Sequence, residues 1–158
     1  MTTAAKPESP AGAAPRQAAD PGGLRTLYGP ATARALGKSL DRLDTYCRQF
    51  IELSPFVCLS STAAGGHADV SPRGDAPGFV RVADDRTLLL PDRPGNNRLD
   101  SLTNIVENPE IGLLFLVPGF NETLRVNGRA RIVRAPETLA GFAVNGRPPA
   151  SALGVAVR

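Results

Sequence analysis

The sequence predicts a mainly β fold with helices, an antiparallel sheet that closes into a small barrel with helices at its ends. Three observations lead there. Short β-rich runs recur between Gly-, Asp- and Asn-bearing turns, as in repeated hairpins. The six or seven strands and three helices do not alternate one for one, which argues against a doubly wound parallel sheet. The 158 residues are 42% hydrophobic but only 5% aromatic, with no Trp, so one domain can form around an aliphatic core.

The elements follow in order. Met1–Gly23 is rich in Ala, Pro and Gly and poor in large apolar residues, and residues 1–30 read as a disordered tail or linker. From Ala31 the residues Leu36, Leu40, Leu43, Cys47 and Phe50 recur at helical steps, with Ser39 as a cap or local break. Ser54-Pro55 stops that helix. Phe56–Ser61 is a strand, Ala64-Gly65-Gly66 a turn, and His67–Ser71 the hairpin partner. Phe79–Val82 and Arg86–Leu90 flank the Asp84-Asp85 turn. Leu99–Glu107 is a helix with Leu99, Leu102 and Val106 on its apolar stripe, ended by Asn108-Pro109. Ile111–Val117 is almost wholly apolar, which predicts a central strand covered on both faces. Thr123–Val133 alternates, with Leu124, Val126, Ala130 and Ile132 on one side and Arg125, Arg129 and Arg131 on the other. Gly128 marks a bulge or barrel corner. Pro136 opens a short helix that Asn145-Gly146 ends, and Ala152–Val157 is a last strand.

Charge and composition exclude several functions. The net charge of +3 comes from scattered Arg residues, not a concentrated basic stripe, so no nucleic-acid surface is expected. No apolar run reaches 18 residues and no signal peptide is recognisable, so no membrane association and a cytoplasmic location are expected. Cys47 and Cys58 sit in apolar patterns and read as small hydrophobes, not as a disulfide or metal site. His67, the only histidine, supports no Ser-His-Asp set, and there is no metal-ligand spacing or glycine-rich phosphate loop. Any reaction is therefore expected to be carried by a bound cofactor.

The stretch Ser71–Leu102 concentrates the remaining chemistry. Asp92, Arg93, Asn96, Asn97 and Arg98 lie between an apolar strand and a helix start. A helix N-terminus presents unpaired N–H groups, and Arg offers a fork of donors that matches phosphate. The loop therefore suits an anion, and equally suits a polar turn in which Asn97 caps the helix and the Arg side chains are solvated. Arg73, in the rigid turn Ser71-Pro72-Arg73-Gly74-Asp75, reads as a presented ligand group or as half of an Arg73–Asp75 surface pair. Arg129 and Arg131 read as a solvated face, with Arg125 open between the two roles.

Four motifs in order carry a family resemblance: DVSPRGD at residues 69–75, RTLLLPDRPGNNR at 86–98, Asn108-Pro109 with GLLF at 112–115, and TLRVNGRA at 123–130. Together they resemble the pyridoxamine 5′-phosphate oxidase-like flavoproteins, most of all a bacterial FMN-dependent branch with SPRGD and PDRPGN signatures, over roughly Leu36–Arg158. The resemblance implies a split β-barrel over residues 31–158 that forms a homodimer with FMN at the subunit interface. It implies cofactor contacts at Val70, at Ser71 and Arg73 on the flavin side, at Pro91 and Asp92, at Arg93, Asn97 and Arg98 as the phosphate clamp, and at Arg125. The implied activity is an FMN-dependent oxidoreductase acting on a small molecule through hydride transfer at flavin N5, with no side chain nominated as acid or base. The alternatives are a non-catalytic module for flavin, haem or deazaflavin, and an inactive remnant. No Arg-x-His segment like that of the oxidases proper is present, so pyridoxamine phosphate is not expected as substrate. The chain also ends in an apolar strand where similar proteins continue, so a truncated barrel with an unpaired final strand is expected.

Overall fold

The structure, a computed structural model, describes residues 20–158. Two compact units are distinguished, one ending at Ser39 and one spanning Leu40–Arg158. In the first, Pro21–Tyr28 forms α1 and Ala33–Leu36 forms α2. Asp20 caps α1 by accepting from the Gly23 N–H at 2.7 Å, and Pro21 takes the first helical position, where its missing N–H costs nothing. The expected tail thus carries a helix in its last part, while Met1–Ala19 lies outside the described residues.

The second unit contains α3 (Thr45–Leu53), β1 (Phe56–Thr62), β2 (Ala68–Gly74), β3 (Arg81–Val82), β4 (Thr87–Pro91), α4 (Asp100–Glu107), β5 (Glu110–Leu116), β6 (Thr123–Val133), α5 (Pro136–Ala140) and β7 (Ala152–Val157). All seven strands form one antiparallel sheet in the order β2-β1-β5-β6-β7-β4-β3. The expected mainly β, antiparallel fold is present.

One face of the sheet carries the core. Val57 and Leu59 of β1, Leu88 and Leu90 of β4, Ile111, Leu113 and Phe115 of β5, and Leu153 and Val155 of β7 are buried in one cluster with Ile51 of α3 and Ile105 of α4. A smaller cluster on the other face joins Val133, Leu139, Phe142 and Ala152.

Several expectations are corrected. The apolar repeat from Ala31 is not one helix: α2 ends at Leu36, Leu36 and Leu40 are exposed, and α3 begins only after Asp44 caps the Cys47 N–H at 2.8 Å. Leu43 is buried instead through a backbone bond to the Asp85 carbonyl at 2.7 Å. β3 is shorter than Phe79–Val82, because Phe79 N–H closes a turn on the Ala76 carbonyl.

β5 is covered on one face only. Ile111, Leu113 and Phe115 point inward, while Leu114 is exposed. The strand buried on both faces is β7, where Ala152 to Val155 are all buried because α5 packs on the side away from the main core. β7 is also not an unpaired edge; it lies between β6 and β4. Asn145-Gly146 does not end α5, which Gly141 already caps; with φ 50° and 74° the pair forms a tight turn bridged between Val144 and Arg147.

The alternation of β6 holds, with Val126, Gly128 and Ala130 buried and Arg125, Arg129 and Arg131 exposed. Gly128 is required by close approach: a Cβ there would collide with the Ala156 carbonyl oxygen of β7.

Candidate functional site

The end of β2, the end of β4 with its loop, and the start of α4 converge on one cleft of about 740 Å³. That volume lies within the range of small-molecule and cofactor sites. Eight of the nine nominated residues line it: Val70, Ser71, Arg73, Pro91, Asp92, Arg93, Asn97 and Arg98. The antiparallel sheet brings them together although β2 and β4 lie near opposite ends of the strand order, as expected of a sheet that curls toward closure.

Arg125 is not among the lining residues. It pairs in register with Leu114 on the face opposite the core, where Cys58 and Pro72 continue the same row. Face alone does not decide this, since Val70 and Pro72 on the same side line the cleft; Arg125 lies on β6, three strands from β2 in the sheet order.

The charged side chains of the cleft are interlocked. Arg73 Nη1 lies 2.6 Å from Asp92 Oδ1, and its Nε donates to Ser71 Oγ at 3.2 Å. Arg93 Nε lies 2.6 Å from Asp75 Oδ2, and its Nη1 donates to the Phe142 carbonyl at 2.6 Å. The expected Arg73–Asp75 pair is therefore replaced by two exchanged pairs that join the β2 end to the β4 end. The Ala76 N–H bonded to Asp75, followed by the Arg93 guanidinium, holds the Asp75 carboxyl below the usual carboxylate range.

Arg98 differs. Its side chain is 72% exposed and touches only Asp100 at 3.0 Å, a pair that water screens. Asn97 does not cap α4. The residue at the cap position is Leu99, in the left-handed region at φ 63°, and no side chain caps the helix. Asn97 itself adopts φ 58°, and the Arg98 N–H is taken by Asn96 Oδ1 at 3.1 Å. A Leu in that region is strained, by about 1–2 kcal/mol. The outcome is a helix start at the cleft with no side-chain cap, beside the exposed Arg98–Asp100 pair.

The buried face of α4 is Ser101, Asn104 and Ile105, and of the expected stripe only Leu102 packs, half-buried, on the main core. Leu99 and Val106 are exposed. The buried face is polar where it meets partners: Ser101 Oγ donates to Asp69 Oδ2 at 2.9 Å, and Asn104 Nδ2 donates to Ser61 Oγ at 3.0 Å. Apolar periodicity could not find such a face.

Asp69, Ser101, Phe79 and Ala150 also line the cleft and were missed. Asp69 was findable, because it shares a strand face with Ser71 and Arg73. Ala150 sits just before β7, where no local signal marks it. The cleft's three Arg and three Asp side chains balance, and Arg98 and Asp100 bring one of each to the α4 start. Among the described residues no group of three or more His, Cys, Asp or Glu side chains is placed to hold a metal ion. No helix among them is long and apolar enough to cross a membrane.

The antiparallel sheet with flanking helices is of the split-barrel kind, and comparison gives its family. The chain belongs to the pyridoxamine 5′-phosphate oxidase family, whose profile matches residues 43–157. Its fold is similar to that of HupZ from Group A Streptococcus (TM-score 0.58, 19% identity, covering 73% of this chain and 89% of that one). It is also similar to an F420 reductase (0.51, 18%, 70% and 92%) and to an FMN-binding protein from Syntrophomonas wolfei (0.51, 14%, 70% and 79%). No curated protein matches the sequence.

Proposed function

We propose that the protein is an FMN-dependent oxidoreductase, a homodimer that acts on a small molecule. The observation that carries this reading is the cleft itself: it collects eight residues nominated for FMN and sets an uncapped helix start beside an exposed Arg98. The residues suit the group. Backbone N–H groups and one exposed guanidinium, whose single carboxylate partner is screened by water, are the donors a terminal phosphate monoester needs. Val70, Ser71, Pro91 and Asp92 form walls for the remainder, with one apolar and one hydrogen-bonding side chain from each strand end.

When bound, FMN would supply hydride transfer at its N5, and the protein's own part is binding and orientation. Arg98 and the first N–H groups of α4 hold the phosphate. Arg73, fixed by Ser71 and Asp92, shapes the side of the cleft that faces the ring. The homodimer reading is supported by the exposed apolar side chains of Val70 and Leu114 on the face of the sheet turned away from the core.

The test is a visible spectrum and a titration of the purified protein with FMN. Saturable binding, with a rise in melting temperature, is the expected result. Absence of both removes the FMN reading. Turnover of reduced nicotinamide with an electron acceptor then separates an enzyme from a binding module. A second reading, a deazaflavin in the same cleft, is favoured by the similarity to an F420 reductase. It predicts that F420 binds and FMN does not compete.

A further inference from the structure

We infer that Arg93 is a positioning residue and not a phosphate ligand, and that Asp75 is its working partner. This rests on the FMN reading above and changes the role of one residue in it. Arg93 commits two of its donor positions inward, Nε to Asp75 Oδ2 and Nη1 to the Phe142 carbonyl, both at 2.6 Å. Those partners come from two different places in the chain: the turn after β2, and the segment after α5.

The Phe142 segment is in turn anchored. Its side chain is buried in the smaller apolar cluster, and Arg81 stacks on its ring at 4.4 Å while donating to the Gly141 carbonyl. Arg93 therefore joins the β4 loop to one rigid support, and through Asp75 to the β2 end. Asp92, one residue earlier, repeats the tie by pairing with Arg73 of β2. The two pairs run in opposite senses: β2 supplies the cation in one, and the turn after β2 supplies the anion in the other. Translation of the β4 end along β2 would break both, so they set the distance between the cleft's two walls.

Two of the five N–H donors of Arg93 are taken by Asp75 and Phe142, and these bonds fix the plane of its guanidinium. Turning the fork to grip a phosphate on two sides would break them and take the cation from Asp75 Oδ2. Arg98, with one screened partner, has no such cost. The phosphate seat is therefore Arg98 with the α4 start, and Asp75–Arg93 holds that seat at its proper distance from β2.

The experiment compares FMN and riboflavin binding, read by quenching of flavin fluorescence, in wild type, Arg98→Ala, Arg93→Ala, Asp75→Asn and the Asp75→Asn/Arg93→Ala double variant. Riboflavin lacks the phosphate, so the ratio of the two affinities isolates it. Arg98→Ala should lower FMN affinity about tenfold to a hundredfold and shift riboflavin little. Arg93→Ala and Asp75→Asn should weaken both flavins by the same factor. The double variant should lose no more than the worse single one, because the pair acts as a unit. An Arg93→Ala protein that loses FMN but keeps riboflavin overturns the inference, as do additive single losses. Asp75→Asn, being isosteric, decides the question if Arg93→Ala does not fold. If wild type binds neither flavin, the FMN reading fails, and the positioning role is decided by melting temperatures of the same four-member cycle. Coupled losses then support the tie and additive losses overturn it.

Discussion

Arg93 and Arg98 lie five residues apart in one loop, line the same cleft and carry the same charge, yet they are opposites. Arg93 is 26% exposed and bonded on two sides; Arg98 is 72% exposed with one neighbouring carboxylate. The contrast separates the two things an arginine can do in a binding loop. One holds the loop's shape, and its charge is already consumed. The other keeps its charge for whatever enters. The loop sequence marks both equally, and the tertiary partners Asp75 and Phe142 alone tell them apart.

Mutations can break this contrast. The largest effect on stability is expected from Arg93→Ala, which leaves Asp75 and the Phe142 carbonyl without their donor and should cost about 2 kcal/mol, read as a lowered denaturant midpoint. Arg98→Ala should be nearly silent in the same unfolding experiment, within about 0.5 kcal/mol, because exposed pairs contribute little. Equal losses for the two would erase the distinction.

Leu99→Gly sharpens the comparison from the other side. It removes a side chain from a left-handed position that only Gly adopts without strain, and should raise stability by about 0.5–1 kcal/mol in a thermal melt. A loss would mean that the exposed Leu99 side chain makes a contact worth more than the strain.

The smallest effect is the pH dependence of Asp75, held by the Ala76 N–H and then by Arg93. Folding holds the Asp75 carboxyl below its ordinary value of 3.8, so the folded chain binds that proton less readily than the unfolded one. The resulting stability is fully present above about pH 4 and is lost as pH falls through the lower folded value. Asp41, Asp44 and Asp84 are lowered as well, by Arg86, by the α3 cap and by the turn at Arg86 respectively, and they share the same acid loss. Asp75→Asn should therefore flatten, not abolish, the fall in stability below pH 4, measured by denaturant unfolding at several pH values. An unchanged slope would show that neither the Ala76 nor the Arg93 contact of Asp75 holds in solution.

Much of the fold was legible because it rests on local chemistry. The Gly65-Gly66 turn, the two-residue alternation of β6 and the helix start at Pro136 are each set by neighbours in sequence. Errors arose where a pattern had more than one tertiary outcome. The apolar run of β5 and that of β7 look alike, but only β7 has α5 packed on its second face. The helical repeat from Ala31 to Phe50 is genuine as a spacing, yet Leu43 is held by Asp85 from another segment and not by a helix. Of the α4 stripe only Leu102 packs on the core, because Ser101 and Asn104 are buried against polar partners.

The sequence by itself determined the antiparallel β class, the family and eight of the residues that meet in one cleft. Motif order and strand parity suffice for that, since they act over a few residues at a time. Only the tertiary structure decided that Arg125 faces away, that Arg73 and Arg93 exchange their aspartates, and that Leu99 leaves the α4 start uncapped. These depend on which segments the sheet brings within hydrogen-bond reach, and Asp75 and Arg93 are 18 residues apart in the chain but 2.6 Å apart in space.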